Sequence, residues 1–120
     1  MDREAKRGAI AEAVRGAKLL GSVCTGTMLL GDLVVGRPCT TFWAAKDDLK
    51  ARGAHVVDSR VVDDGDLITA GGVTCGIDLG LWLVERLFGI ETALLAQKIM
   101  EYERRGPVWL SRDNPAQLVG

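Results

Sequence analysis

Leu19-Leu20-Gly21-Ser22-Val23 is a short apolar run bounded by small residues, and it passes through Cys24-Thr25-Gly26 into a segment of helical spacing. A strand that turns sharply into a helix constrains the fold more than any other stretch here. Such a unit has to place its strand within a sheet and its helix across one face. Cys24 stands at the turn. There a thiol is lifted above the C-terminal edge of the sheet, where helix-terminal N–H groups favour its thiolate and where ligands tend to bind.

Helix and strand signals alternate along the rest of the chain. Ala5, Ile10, Ala13 and Val14 give a first amphipathic helix over 2–14, ending near Gly16. Met28, Leu29 and Leu33 predict a helix over 25–35 that Gly36 stops, and Cys39 to Trp43 has strand composition. A short helix over 44–52 is closed by Gly53. The runs 54–58, 60–62 and 67–70 read as strands, and Asp63-Asp64-Gly65-Asp66 between the last two is hairpin chemistry. Gly71-Gly72 then leads into an apolar helix over 74–87 that Gly89 ends; a further helix spans 90–103, and the tail from Gly106, with Pro107, Trp109 and Pro115, reads as irregular.

This order predicts α/β layering around a largely parallel sheet, yet only about three of the strands could be central, fewer than a doubly wound sheet uses. The 120 residues form one domain, with 48% hydrophobic and 26% charged residues. Fifteen basic and sixteen acidic residues are intermixed, which argues against a nucleic-acid or anionic-membrane partner. No run approaches the roughly 20 apolar residues of a membrane-spanning helix. The mixed-charge N-terminus lacks a signal-peptide core, so the expected location is cytoplasmic. Cys24, Cys39 and Cys75 are odd in number and widely spaced, with His55 as the one imidazole, so neither a disulfide framework nor a metal site is expected.

Three motifs in order, SVCTG at 22–26, TTFW at 40–43 and ITAGGVTCGIDLGLWLVER at 68–86, with a weaker QKIMEY at 97–102, resemble the C-terminal portion of a ThiJ/PfpI protein. That family lies in the class I glutamine amidotransferase-like superfamily, and its isonitrile hydratase branch is the most similar. The resemblance implies a flavodoxin-like, doubly wound, mostly parallel sheet with helices on both faces, its N-terminal strands missing from this sequence. It implies Cys24 as nucleophile, with Thr25, Gly26, Gly76 and Ile77 around a small-molecule electrophile and no cofactor; without the leading strands the apolar runs 19–23 and 68–73 are left uncovered, which predicts a homo-oligomer.

Two departures qualify the implied activity. Relatives with this elbow usually carry histidine in T-T-H-W where Phe42 stands, and a phenyl ring neither gives nor takes a proton. Full-length members also carry about 70–90 further residues ahead of the first helix. Those residues hold the catalytic Asp or Glu and an oxyanion loop, neither of which this sequence contains. The readings that follow are a cysteine-dependent hydratase or hydrolase completed by a missing half, a ligand-binding module like that of some transcription regulators, or an inactive fragment.

Other residues have plainer readings. Cys75, where relatives usually have alanine, packs as a small residue at the second strand-to-helix turn; an oxidised pair with Cys24 is the sharper alternative. Asp78 is a favourable charge near a helix N-terminus. His55 is solvated, and Trp43, Trp82 and Trp109 belong to the core or an interface.

Overall fold

Alternate residues of one central strand bury themselves in two different cores, and this fixes the layering. The computed structural model describes residues 2–113. Its elements run α1 (Arg3–Val14), β1 (Leu20–Val23), a 3₁₀ segment (Cys24–Val34), β2 (Pro38–Cys39), α2 (Lys46–Ala51), β3 (His55–Val56), β4 (Val61–Asp63), β5 (Leu67–Ala70), α3 (Cys75–Phe88), α4 (Ile90–Met100) and β6 (Trp109–Leu110). Four strands form one sheet in the order β1-β5-β4-β6, and β2 and β3 form a parallel pair beside it. Pairing is parallel for β1 with β5 and for β4 with β6, and antiparallel within the β4–β5 hairpin.

On one face, Leu67 of β5 packs with Leu30, Val34, Cys39 and Leu49, and Leu20 of β1 joins them. On the other, Ile68 and Ala70 pack with Val61 and Leu79, with Leu19 and Trp82 at the margin. A period of two along β5 therefore sends successive side chains to opposite layers, as a sheet covered on both sides requires. The outer side of β1 pairs with no described strand. No helix among the described residues is long and apolar enough to cross a membrane.

Several boundaries differ from the sequence reading. The segment after the elbow is 3₁₀ in character and breaks at Gly31 (φ 61°, ψ −129°), a conformation a side chain would strain. No residue of α1 is fully buried, and Ile10 is largely exposed, so its amphipathic stripe is weaker than its spacing suggests. Strand structure at 38–43 is confined to Pro38–Cys39, because Thr40 instead gives its backbone N–H to the Thr69 hydroxyl (2.8 Å). Trp43 is 74% exposed and is no core residue. Glu101 adopts φ 52° and ends α4 at Met100. Trp109–Leu110, expected to be irregular, adds a strand alongside Val62 and Asp63. Pro115 lies outside the described residues. His55 is exposed, as read.

Cys39 carries a pH dependence. Burial pushes its thiol from 9.0 up to about 11. The folded chain holds the neutral thiol while the unfolded chain ionises first. Its stabilising contribution is thus complete below pH 9 and is lost as pH rises through about 11, a loss of at most about 3 kcal/mol. Urea unfolding at pH 8 and pH 10.5 should show this decrement in the native sequence and not in Cys39→Ala.

Candidate active site at the strand ends

The elbow is a strained turn in the structure. Cys24 follows β1 with φ 58°, a left-handed backbone that non-glycine residues adopt at a cost of about 1–3 kcal/mol and mostly at functional positions. Two bonds hold it there. The Cys24 N–H donates to the Gly71 carbonyl (2.9 Å), and the Thr41 hydroxyl donates to the Cys24 carbonyl (2.7 Å). The ends of β1 and β5 and the 40–43 segment are thereby tied around one half-buried thiol. Behind it, Ser22 Oγ and Thr27 Oγ1 share a buried hydrogen bond of 2.6 Å that anchors the first turn to the strand.

Gly76 contacts the same unit from the other side. A Cβ there would fall 2.9 Å from Val23 Cγ1, so the first turn of α3 can lie against the residue preceding Cys24 only as glycine. Ile77 borders it, partly exposed; Thr25 is exposed and Gly26 half-buried. Val73, between β5 and α3, is a second strained position at φ 45° and is 80% exposed. A β-branched residue in this region is a genuine outlier, and it stands just beyond the strand that pairs with β1.

Beside the elbow opens a cleft of about 840 Å³, walled by Thr40 to Trp43, Gly71 to Val73, Arg60, Cys75 and the 105–110 segment. Cys24 does not line it, nor do Thr25, Gly26, Gly76 or Ile77. The cleft and the thiol share a wall through Thr41 and Gly71. Phe42 packs so closely on Gly72 that a Cβ there would meet its Cδ1 at 2.5 Å, and its ring lies 5.7 Å from that of Trp43. Cys24 and Cys75 are both free thiols on either side of Gly71, whose ideal Cβ position is 3.1 Å from Cys75 Sγ.

Asp78 does more than complement a helix end. It is 3% exposed and accepts from Arg60 Nε (2.8 Å), Tyr102 Oη (2.6 Å) and the Arg105 N–H (3.3 Å). The hydrogen bond to Asp78 pushes the Tyr102 phenol up, since the phenolate would lose that bond and face the carboxylate. This network fixes Arg60 and the 105–110 segment, and with them one wall of the cleft. Nothing local in the sequence marks Arg60 or the 105–110 segment, because their partners lie far away along the chain. Among the described residues no three His, Cys, Asp or Glu side chains gather as a metal site would require.

The chain is similar to known proteins over most of its length. Over 93 residues the chain is 46% identical to an isonitrile hydratase of Pseudomonas putida, covering 76% of this chain and 41% of that protein. It is 32% identical over 79 residues to the glutathione-independent glyoxalase DJR-1.2 of Caenorhabditis elegans, spanning 65% of this chain and 42% of that protein. A ThiJ/PfpI family protein from Pseudomonas syringae superposes with a TM-score of 0.76 at 37% identity, over 88% of this chain and 44% of that one. Drosophila melanogaster DJ-1beta shares the fold at a TM-score of 0.70 and 23% identity, over 86% of this chain and 56% of that one. The chain thus spans about two fifths of the curated relatives it matches. The DJ-1/PfpI family profile matches residues 2–86, with the elbow and the start of α3 inside the match, and the chain belongs to that family.

Proposed function

We propose that Cys24 is the nucleophile of an isocyanide-hydrating site, acting with Thr25, Gly26, Gly76 and Ile77 around the substrate. The observation that carries this reading is the left-handed Cys24 backbone, held between the ends of β1 and β5. The 46% identity to an isonitrile hydratase supports the choice of substrate. Cys24 Sγ bonds to the terminal isocyanide carbon, which takes up a proton to give a thioimidate. Water then adds to that carbon, the S–C bond breaks, and an N-substituted formamide leaves with the thiol restored.

The Cys24 N–H is committed to Gly71, and no described side chain hydrogen-bonds to Cys24 Sγ. The reading therefore takes the general acid and the oxyanion donors from outside residues 2–113. It includes a cytoplasmic location and a homo-oligomer, supported by the unpaired side of β1 and by the 72% and 74% exposed Phe88 and Ile99. A monomeric mass in light scattering would contradict the oligomer.

A second reading is favoured by Phe42 alone. A ring in place of a proton-transferring side chain suits a pocket that binds without turnover, as in a sensor module or an inactive fragment. Incubation with an alkyl isocyanide separates the two. Formamide production with a transient adduct on the Cys24 peptide is expected for the enzyme. A stable complex without product selects the sensor, and neither adduct nor binding selects the fragment.

A further inference from the structure

The cleft beside the elbow has its own thiol, and the elbow chemistry leaves it unused. Cys75 lines it, half-buried at the start of α3, while Cys24 does not. Among its charged wall residues Lys46 and Asp58 pair with each other (2.8 Å), which leaves two arginines, Arg60 and Arg105, facing no carboxylate of the wall. Guanidinium donors in a concave, partly apolar setting favour an anionic ligand.

Arg60 is prepared for one. Its Nε is held by Asp78 (2.8 Å) and its Nη2 by Thr74 Oγ1 (3.1 Å) and Tyr102 Oη (3.4 Å), whereas Nη1 has no hydrogen-bond partner among the described residues. The guanidinium is thus oriented by a buried carboxylate with one donor edge left over. Its pKa is pushed up, chiefly by the bond to Asp78, with a smaller electrostatic contribution from Cys75 that reflects their proximity.

Thr40 supplies an independent sign of a ligand. It is 0% exposed, lines the same cleft, and its Oγ1 has no hydrogen-bond partner. A buried hydroxyl left unpaired costs about 1–3 kcal/mol. The neighbouring Thr41 and Thr69 hydroxyls both have partners, so the deficit is particular to Thr40. A polar ligand atom seated there removes it.

We propose that this cleft is a second site, built to take a 2-oxo acid with an apolar or aromatic side chain. The carboxylate pairs with Arg60 Nη1, the side chain lies against Phe42, Trp43 and Trp109, and the keto oxygen reaches Thr40 Oγ1. Cys75 Sγ adds to the keto carbon, the C=O π pair goes to oxygen, and the thiol proton ends there, giving a hemithioketal. No bond other than S–H and the C=O π bond is broken, so addition is reversible and needs no oxidant. This site stands apart from the Cys24 reading, since its test reads the Cys75 peptide.

The probe is phenylglyoxylate, and the readout is peptide-mapped alkylation of the intact protein. Iodoacetate, the anionic reagent, should label Cys75 faster than neutral iodoacetamide does, reversing the order found for the same peptide in urea. Phenylglyoxylate should protect Cys75 saturably and leave Cys24 labelling unchanged, whereas phenylacetate, which lacks the keto group, should protect less. Thr40→Val keeps the shape and deletes the orphan hydroxyl; it should fold at least as stably as the native sequence and weaken protection about tenfold. Arg60→Gln should abolish the preference for iodoacetate. If both reagents label Cys75 in the urea ratio, or if phenylglyoxylate gives no protection in either the native sequence or Thr40→Val, the site does not exist.

Discussion

On the proposed hydratase reading, Cys24→Ala should remove isocyanide hydration completely, and Cys24→Ser should lower it by about 10³-fold or more, with KM changed far less than kcat. A serine hydroxyl at the same turn keeps the geometry and loses the nucleophile. Assayed as formamide formed per minute, this separates a reacting thiol from one that merely packs. The turn adds a second arm. Cys24 sits at φ 58°, where glycine is unstrained, so Cys24→Gly should be inactive and yet more stable, by about 1 kcal/mol in urea unfolding. Activity lost with stability gained is the signature of strain kept for function. A Cys24→Gly chain less stable than the native one would show that the thiol is held for packing.

Asp63→Ala should be strongly destabilising, by about 3–5 kcal/mol. The residue is 0% exposed and accepts from Trp82 Nε1 (2.8 Å), the Gly65 N–H (2.8 Å) and Arg86 Nη1 (3.1 Å), with Arg112 Nη1 at 4.0 Å. One carboxylate therefore joins the hairpin turn to α3 and to the segment after β6. Removing it takes the acceptor from the half-buried Trp82 indole and from the Gly65 N–H, while the Arg86 guanidinium, 30% exposed, turns to water. Asp63→Asn keeps acceptors for Trp82 and Gly65 but weakens the pairing with Arg86, and should cost roughly half as much. Thermal unfolding of both variants checks the order, and equal midpoints would mean that charge contributes little.

Local chemistry was legible in the sequence, and distant partnership was not. Asp63-Asp64-Gly65-Asp66 announces its hairpin because turn residues act within a few positions, and Gly65 takes φ 87° as such a turn requires. The elbow at Cys24 is legible for the same reason. Trp109–Leu110 becomes a strand only through parallel pairing to β4, a contact that leaves no periodic trace in two residues. Asp78 reads as a helix-end charge until Arg60 and Tyr102 arrive from other parts of the chain to bury it. The cleft was missed for that reason too, since Thr40, Arg60 and Cys75 meet only once the strands are aligned. Trp43 misled because indole size favours burial on average, while here the ring lies over the cleft rim.

The account rests on Cys24 being presented for reaction by the fold, and its most direct test compares iodoacetamide labelling of the three cysteine peptides in the native and the urea-unfolded protein. Cys24 should react faster in the folded chain than in the unfolded one, and Cys39, fully buried, should react far more slowly. A folded-state Cys24 that reacts no faster than the unfolded peptide would contradict the account, leaving the elbow a structural turn with an ordinary thiol.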